Sequence, residues 1–227
     1  MSESNQSPAP KRLVILVSGG GSNLQSLIDG CANGEINATV SAVISNNPEA
    51  GGLERAAKAG IPNLAIDHKA FDSRAAFDQS LSELIDSFSP DLVILAGFMR
   101  ILTETFVDHF IGRMMNIHPS LLPAYPGLNT HTRAIEAGDK KAGATVHFVT
   151  PELDGGPAII QAQVNIETID NAASLAAKVL DFEHKIYPKA VQWFCENRLV
   201  MENYKVKFDE SPIPDSGIIY NLIEHSR

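Results

Sequence analysis

The chain has 227 residues, of which 44% are hydrophobic and 20% charged, the balance of a globular protein large enough to fold without disulfides or metals. Its net charge of −9 argues against a protein that binds nucleic acid. No apolar run approaches the roughly 20 residues of a membrane span, and residues 1–11 are predicted to be a polar, disordered tail, so we expect a cytoplasmic protein without a membrane partner.

Strand and helix patterns alternate through the first half of the chain. Runs of β-branched and aliphatic residues predict strands at 13–17, 38–44, 61–66 and 91–96. Helical spacing of apolar residues predicts intervening helices after Asn23, at about 52–58 and at 73–88. This alternation predicts an α/β fold with a doubly wound, mostly parallel sheet, in which ligands bind beyond the carboxyl ends of the strands.

The second half is richer in proline and less regular. Short apolar segments predict strands at 114–117, 144–149 and 158–164. The longest helical pattern runs from 172 to 194, and Pro188 should kink this helix or move its boundary. Because the chain shows neither a repeat nor a long linker, we expect a single domain with two lobes.

A glycine-rich loop, 18–23, joins the first predicted strand to the first helix. Glycines allow a close backbone approach, and the N–H groups at a helix start favour an anion. Leu24 replaces the third glycine of a dinucleotide fingerprint, and the lysine of a P-loop is absent, so the loop resembles a cradle for a single phosphate. A simple strand-to-helix connection is about equally compatible with so short a motif.

Asn116 and His118 are the strongest candidates for chemistry. Two residues apart in an extended segment, they project to the same side, and Pro119 favours that extended geometry. An amide donor beside an imidazole suits acyl transfer, because one stabilises an oxyanion and the other moves protons. Asp154 precedes two glycines that free the backbone to bring its carboxylate into a crevice, but spacing alone leaves open whether it meets His118. Each of these residues, taken singly, is more often structural.

Two rival chemistries have weaker support. Ser22 lacks the G-x-S-x-G setting of a serine nucleophile, because Leu24 replaces the last glycine. The seven histidines show no zinc-binding spacing, so no metal is expected.

Four stretches together resemble the glycinamide ribonucleotide formyltransferase family, in one unbroken order between Leu13 and Leu199. They are 18–24, 96–102, 116–123 and 146–157. The resemblance implies a Rossmann-like formyltransferase fold and transfer of the formyl group of 10-formyltetrahydrofolate to the amine of glycinamide ribonucleotide in de novo purine synthesis. It implies neither a covalent enzyme intermediate nor a metal. Two positions depart from many relatives, since Gly20 stands in place of an asparagine and Asn129 in place of a histidine.

The resemblance also implies roles for matching residues. Asn116 and His118 would stabilise a tetrahedral intermediate, with His118 transferring the proton and Asp154 tuning His118 and helping to move that proton. His147 would support the site from the strand leading to Asp154. The residues implied for the ribonucleotide are Gly21, Ser22, Asn23 and Glu183. Those implied for the folate are Arg74, Met99, Arg100, Ile101, Leu102 and Asn116.

The implied domain spans 12–200, with a phosphate-binding half to about 110 and a catalytic and folate-binding half from about 111. Residues 201–227 are expected to form an extension that packs on the domain or is partly irregular. Monomer and homodimer both remain open.

Three alternatives remain. Hydrolysis of formyltetrahydrofolate would keep the scaffold, although that family usually carries an additional N-terminal regulatory domain and only about 12 residues precede the first predicted strand here. Formylation of methionyl-tRNA normally involves an additional basic C-terminal domain, which this acidic chain lacks. A nonenzymatic nucleotide-binding module would use the glycine loop, but it would not need Asn116, His118 and Asp154 together.

Overall fold

The structure is a computed structural model that describes residues 9–220. Within this range the strands are β1 (Lys11–Val17), β2 (Ala38–Ser45), β3 (Asn63–Ala65), β4 (Leu92–Leu95), β5 (Met114–His118), β6 (Lys141–Phe148), β7 (Ala158–Asn165), β8 (Leu199–Glu202), β9 (Lys205–Phe208), β10 (Ser211–Pro212) and β11 (Ile218–Tyr220). The helices are α1 (Ser22–Ala32), α2 (Gly51–Lys58), α3 (Arg74–Asp86), α4 (Glu104–His109), α5 (Thr130–Glu136) and α6 (Ala172–Cys195), with a single 3-10 turn at His68–Ala70.

An eight-stranded sheet with the order β11-β7-β6-β5-β4-β1-β2-β3 forms the centre of the fold. Five neighbouring strands, in the order β3-β2-β1-β4-β5, pair in parallel, and β11 pairs in parallel with β7. Strand β6 runs antiparallel to both of its neighbours. The chain moves outward from β1 through β2 to β3 and then returns to β4 on the other side of β1, so the switch point lies between β1 and β4.

Apolar side chains of the central strands cover both faces of the sheet. In β1, Leu13 and Ile15 pack into the cluster that includes α1 and α6, whereas Val14 and Leu16 pack into the cluster that includes α3 and α4. A strand covered on both sides must be apolar at every position, which explains its continuous hydrophobic run. The predicted doubly wound, mostly parallel α/β fold is therefore confirmed.

The longest helix, α6, runs through Pro188 and ends at Cys195. The sequence predicted that Pro188 would either kink this helix or move its boundary. The prediction of a boundary at Pro188 is wrong, because the helix continues past it. Buried residues on both sides of it, such as Ile186 and Val191, pack onto the sheet. This packing offsets the backbone hydrogen bond that the proline cannot donate.

Residues beyond α6 add two elements to the fold. Strands β8, β9 and β10 form a small antiparallel sheet, and the Phe208 ring packs against Trp193 of α6 with the ring centroids 4.8 Å apart. Strand β11 then joins the edge of the large sheet beside β7. Residues 1–8 of the predicted tail and residues 221–227 of the predicted extension lie outside the described residues, and Lys11, included in that tail, begins β1. Across residues 9–220, no helix is long and apolar enough to cross a membrane.

Candidate active site

An open cavity of about 770 Å³ lies at the carboxyl ends of β1, β4 and β5, beside the switch point. This is the edge where ligands bind in doubly wound sheets. Its walls include segments 97–101, 116–119 and 127–132, together with Asn23, Leu153, Asp154, Ala172 and Glu183. The cavity thus joins the end of the glycine loop to the Asn116–His118 segment.

The glycine loop leads directly into α1. Gly21 caps this helix in the left-handed region, with φ of 71°, and a side chain at that position would lie 2.8 Å from the Cα of Gly52. Only glycine fits there without strain. Gly20 is different, since an added Cβ would meet nothing within 4 Å. The position of Gly20 is therefore sterically open to a side chain.

Asn23 and Glu183 both line the cavity and are in direct contact with each other. The Nδ2 of Asn23 donates to Oε2 of Glu183 at 2.7 Å, and both side chains are buried. Burial raises the pKa of Glu183, and the hydrogen bond from Asn23 partly opposes this shift. Oδ1 of Asn23 is buried without a partner among the described residues. Two residues predicted to bind the ribonucleotide thus form one polar pair with hydrogen-bonding capacity left over.

His147 orients the amide of Asn116. Its Nδ1 lies 2.9 Å from the carbonyl oxygen of Phe148, and because a carbonyl only accepts, Nδ1 carries the proton. Its Nε2 therefore accepts from Nδ2 of Asn116, 3.2 Å away. Burial lowers the pKa of His147 to about 4, so the ring is neutral near pH 7. The second amide N–H of Asn116 has no hydrogen-bond acceptor among the described residues.

His118 is held between a carbonyl and a carboxylate. Its Nε2 donates to the carbonyl oxygen of Tyr125 at 2.9 Å, and its Nδ1 lies 3.4 Å from Oδ2 of Asp154. The same carboxylate oxygen accepts from the Gly127 N–H at 2.8 Å. Asp154 has φ of 52°, a left-handed conformation that aspartate tolerates better than most residues. The three predicted catalytic residues therefore line one cavity, with two of them in contact.

A buried polar network supports the segment that carries His118. Nε2 of Gln161 donates to the Leu122 carbonyl at 2.8 Å and to Oγ1 of Thr145 at 3.0 Å. That hydroxyl donates in turn to the Ser120 carbonyl at 2.7 Å and accepts the Leu122 N–H at 3.1 Å. Since every member of the network is satisfied, it fixes the loop after β5.

The loop after β4 forms an apolar wall beside Asn116. Met99 and Ile101 are 71% and 57% exposed, and both line the main cavity. Leu102 does not line the main cavity but a second one of about 120 Å³, whose walls include Arg100, Asn116 and His147. These residues leave an apolar surface open at the site, as a flat aromatic ligand would require.

Two hydrogen bonds anchor this loop to its neighbours. Oγ of Ser18 accepts the Met99 N–H at 2.7 Å, which ties the loop to the end of β1. The buried Asp78 of α3 accepts the Thr103 N–H at 2.6 Å. The guanidinium of Arg100 stacks on the Phe77 ring, with Cζ 5.0 Å from the ring centroid.

Gly21, Ser22 and Arg74 are not among the residues that line the cavity, although Asn23, which follows Ser22 in the chain, is. Arg74 is exposed at the first position of α3, and Ser22 is half-buried at the first position of α1. Residues 129–132, which residue spacing did not predict as part of the site, also line the cavity where α5 begins. Asn129 has φ of 58°, a left-handed conformation that asparagine adopts more readily than most residues. The sequence signal that could have indicated these residues is Gly127, which is followed closely by the polar segment 129–132.

Residues 9–220 contain no cluster of three or more histidine, cysteine, aspartate or glutamate side chains able to hold a metal ion. A doubly wound sheet with an amide, an imidazole and a carboxylate around a cavity at its switch point defines an α/β enzyme. A family model described as Formyl transferase matches residues 11–191. The chain therefore belongs to the formyl transferase family, in its phosphoribosylglycinamide formyltransferase branch.

Individual relatives place the chain in that branch. Phosphoribosylglycinamide formyltransferase of Escherichia coli K12 is 51% identical over 205 residues, which cover 90% of this chain and 97% of that protein. The enzyme of the same name from Haemophilus influenzae is 44% identical and covers 91% and 98%. A solved phosphoribosylglycinamide formyltransferase from Coxiella burnetii superposes with a TM-score of 0.90 at 46% identity, covering 93% of this chain and all of that one.

Proposed function

We propose that this protein transfers the formyl group of 10-formyltetrahydrofolate to the amino group of glycinamide ribonucleotide in de novo purine synthesis. The observation that carries the proposal is the single cavity in which the Asn23–Glu183 pair, the Asn116 amide and the His118–Asp154 pair all meet. The same cavity is lined by Asn23, the last residue of the glycine loop, and by apolar side chains of the loop after β4, which match a ribonucleotide acceptor and a pterin donor.

At the ribonucleotide end, the N–H groups of Gly21, Ser22 and Asn23 would bind the phosphate. They lie at the start of α1, where the helix dipole favours an anion. Glu183 has a second carboxylate oxygen beyond the one bound to Asn23, and this oxygen can accept hydrogen bonds from the ribose hydroxyls or from an ammonium group.

At the folate end, Met99, Ile101 and Leu102 would pack against the donor, and Arg100 would stay stacked on Phe77. The exposed apolar side chains give this role its support, because isolated apolar groups at a cavity rim gain stability only when a ligand covers them. Arg74 is exposed and outside the cavity walls, so its role in folate binding is confined to parts of the ligand that extend over the surface.

The reaction begins when the amine nitrogen attacks the formyl carbon, forming a C–N bond and moving an electron pair onto the formyl oxygen. The free amide N–H of Asn116 would stabilise that oxyanion by a hydrogen bond, and the imidazole of His118 would do so by its positive charge once it holds the proton at Nδ1. The new ammonium then loses a proton, the folate nitrogen N10 gains one, and collapse of the oxyanion breaks the old C–N bond. No net proton is consumed.

His118 and Asp154 would carry this proton between the two nitrogens. Nδ1 of His118 faces the carboxylate at 3.4 Å, and Nε2 is committed to the Tyr125 carbonyl, so exchange runs through the Nδ1 side. The bond from the Gly127 N–H fixes the Asp154 carboxylate at that side. A positioned acid–base pair of this kind contributes about 100- to 10,000-fold to rate.

We further propose that the protein works in the cytoplasm as a monomer or homodimer, with small molecules as its partners and without nucleic acid, membrane or a required metal. Hydrolysis of the same folate is the second candidate reaction, because water reaching the formyl carbon would use the same oxyanion stabilisation.

The test follows absorbance when purified protein is mixed with 10-formyltetrahydrofolate, with and without glycinamide ribonucleotide. Tetrahydrofolate formed only with the ribonucleotide, together with an equal amount of formylated product, establishes the transferase. Folate turnover without the ribonucleotide, accompanied by formate, establishes the hydrolase and removes the transferase.

A further inference from the structure

Helix α2 holds two successive peptide units of the glycine loop by their carbonyl groups. The Gly52 N–H donates to the Gly19 carbonyl at 2.9 Å, and Nε of Arg55 donates to the Gly20 carbonyl at 2.7 Å. Both peptide bonds are trans, because the one cis bond among residues 9–220 joins Leu122 to Pro123. In a planar trans peptide the C=O and N–H point in opposite directions.

The N–H groups of Gly20 and Gly21 therefore point away from α2. Across the described residues, neither N–H has a hydrogen-bond acceptor. The Gln25 N–H makes the first helical bond of α1, to the Gly21 carbonyl, so the N–H groups of Ser22 and Asn23 are also left free by the helix. Consecutive free N–H groups of this kind form an anion-binding concavity.

The guanidinium of Arg55 is fixed by more than one contact. Besides the bond from Nε, its Nη1 donates to Oε1 of Gln25 at 3.3 Å, so one side chain bridges the loop and α1. Its Cδ packs against Gly21, 3.5 Å from where a Cβ would stand. A planar guanidinium can direct two bonds at once, whereas a lysine ammonium at the end of a flexible chain acts mainly as a point charge.

We propose that Arg55 is the positioning residue of the phosphate site: by holding the Gly20 carbonyl, it turns the Gly21 N–H toward the ribonucleotide phosphate. The inference rests on the proposed function only for the identity of the ligand. Without Arg55, the Gly20 carbonyl would bond to water, and the glycine loop would have to be ordered each time a phosphomonoester binds. Arg55 does not itself touch the reacting atoms.

The test compares Arg55→Met and Arg55→Lys with the wild type and with Lys58→Met. Lys58 is an exposed residue of the same helix, so its replacement removes the same charge without touching the loop. For each protein, KM for both substrates, kcat and Tm are measured. The rise in Tm produced by inorganic phosphate alone is also recorded.

We expect both Arg55 variants to raise the ribonucleotide KM by about tenfold or more, the effect of losing a charge-assisted hydrogen bond, while the folate KM stays within about twofold. Protection by inorganic phosphate should fall in both variants and stay unchanged in Lys58→Met. We expect Arg55→Lys to raise the ribonucleotide KM as well, because lysine keeps the positive charge but cannot make the directed hydrogen bond to the Gly20 carbonyl.

Three results overturn the inference. An unchanged ribonucleotide KM in Arg55→Met removes the role altogether. Wild-type affinity in Arg55→Lys means that charge alone matters, and a parallel rise of both KM values with a lower Tm means that Arg55 only stabilises the fold. Absence of formyl transfer in the wild type, with phosphate protection that disappears in both Arg55 variants, sinks the proposed function but leaves this inference standing.

Discussion

The side chains of Asn23 and Glu183 form a buried hydrogen bond of 2.7 Å between residues that are 160 positions apart in the sequence. Burial raises the pKa of Glu183, so its ionised form is disfavoured in the folded protein. Stability from this group is present at low pH and is lost as pH rises through the raised pKa. Burial of the Glu183 carboxylate therefore lowers stability near neutral pH, and we attribute its presence in this pair to ligand binding.

Glu183→Gln should stabilise the ligand-free protein and weaken it as an enzyme. The amide keeps an acceptor for Asn23 without a buried charge, so we expect a gain of about 1 kcal/mol at pH 7, or about 2–4 °C in Tm. The ribonucleotide KM should rise by about tenfold, as expected when a charged hydrogen-bond acceptor is lost. Thermal unfolding and steady-state kinetics measure the two effects, with the exposed Asp181→Asn on the same helix as control. A lower Tm in Glu183→Gln would contradict the assignment.

His147 should make the protein less stable toward unfolding at acidic pH. Burial lowers its pKa to about 4 from 6.5, so the unfolded chain binds more protons between those values. Unfolding free energy should therefore fall as pH drops from about 6.5 toward 4, with a loss of about 2 kcal/mol already at pH 5. Urea titrations at pH 7 and pH 5 measure this loss.

The matched variant is His147→Gln, which cannot titrate and retains polar atoms that can meet Asn116 and the Phe148 carbonyl. Its loss of stability between pH 7 and pH 5 should be smaller than that of the wild type. An equal loss in both proteins would assign the acid sensitivity to other groups.

His118→Ala should separate binding from chemistry. The hydrogen-bond and ion-pair partners of the ring among the described residues are the Tyr125 carbonyl and Asp154, not the glycine loop, so ribonucleotide binding should change by less than about threefold while kcat falls about 100-fold or more. Titration calorimetry and initial rates give the two values. The exposed His109→Ala is the control, and near-wild-type turnover in His118→Ala would remove the role proposed for the imidazole.

The parallel half of the fold could be predicted because burial on both faces forces continuous apolar strands such as β1. The direction of β6 could not, because it depends on the path of 119–140, where a short helix, α5, is hidden among prolines and polar residues. Strand β11 could not be predicted either, because its three residues at the sheet edge are too few to show an alternating hydrophobic pattern.

The site divides in the same way. Spacing predicted that Asn116 and His118 face one side, because both lie on one extended strand. Contacts between distant elements have no such signal, so neither Asn23 with Glu183 nor His118 with Asp154 follows from spacing alone. Orientation is a further step, since the amide of Asn116 is fixed by His147 from the neighbouring antiparallel strand.

Substitution of Gly20 should have little effect on stability, whereas substitution of Gly21 should destabilise the protein. Gly20→Asn adds a side chain at a position where a Cβ meets nothing within 4 Å, so we expect a stability change within about 0.5 kcal/mol and an unchanged ribonucleotide KM. Gly21→Ala combines φ of +71° with a Cβ contact of 2.8 Å to Gly52, and should lose about 1–3 kcal/mol. It should also raise the ribonucleotide KM, because the N–H groups of the loop would be displaced. Urea unfolding and kinetics on the two variants decide, and equal destabilisation by both would mean that the loop is constrained as a whole and that Gly20 is not an open position.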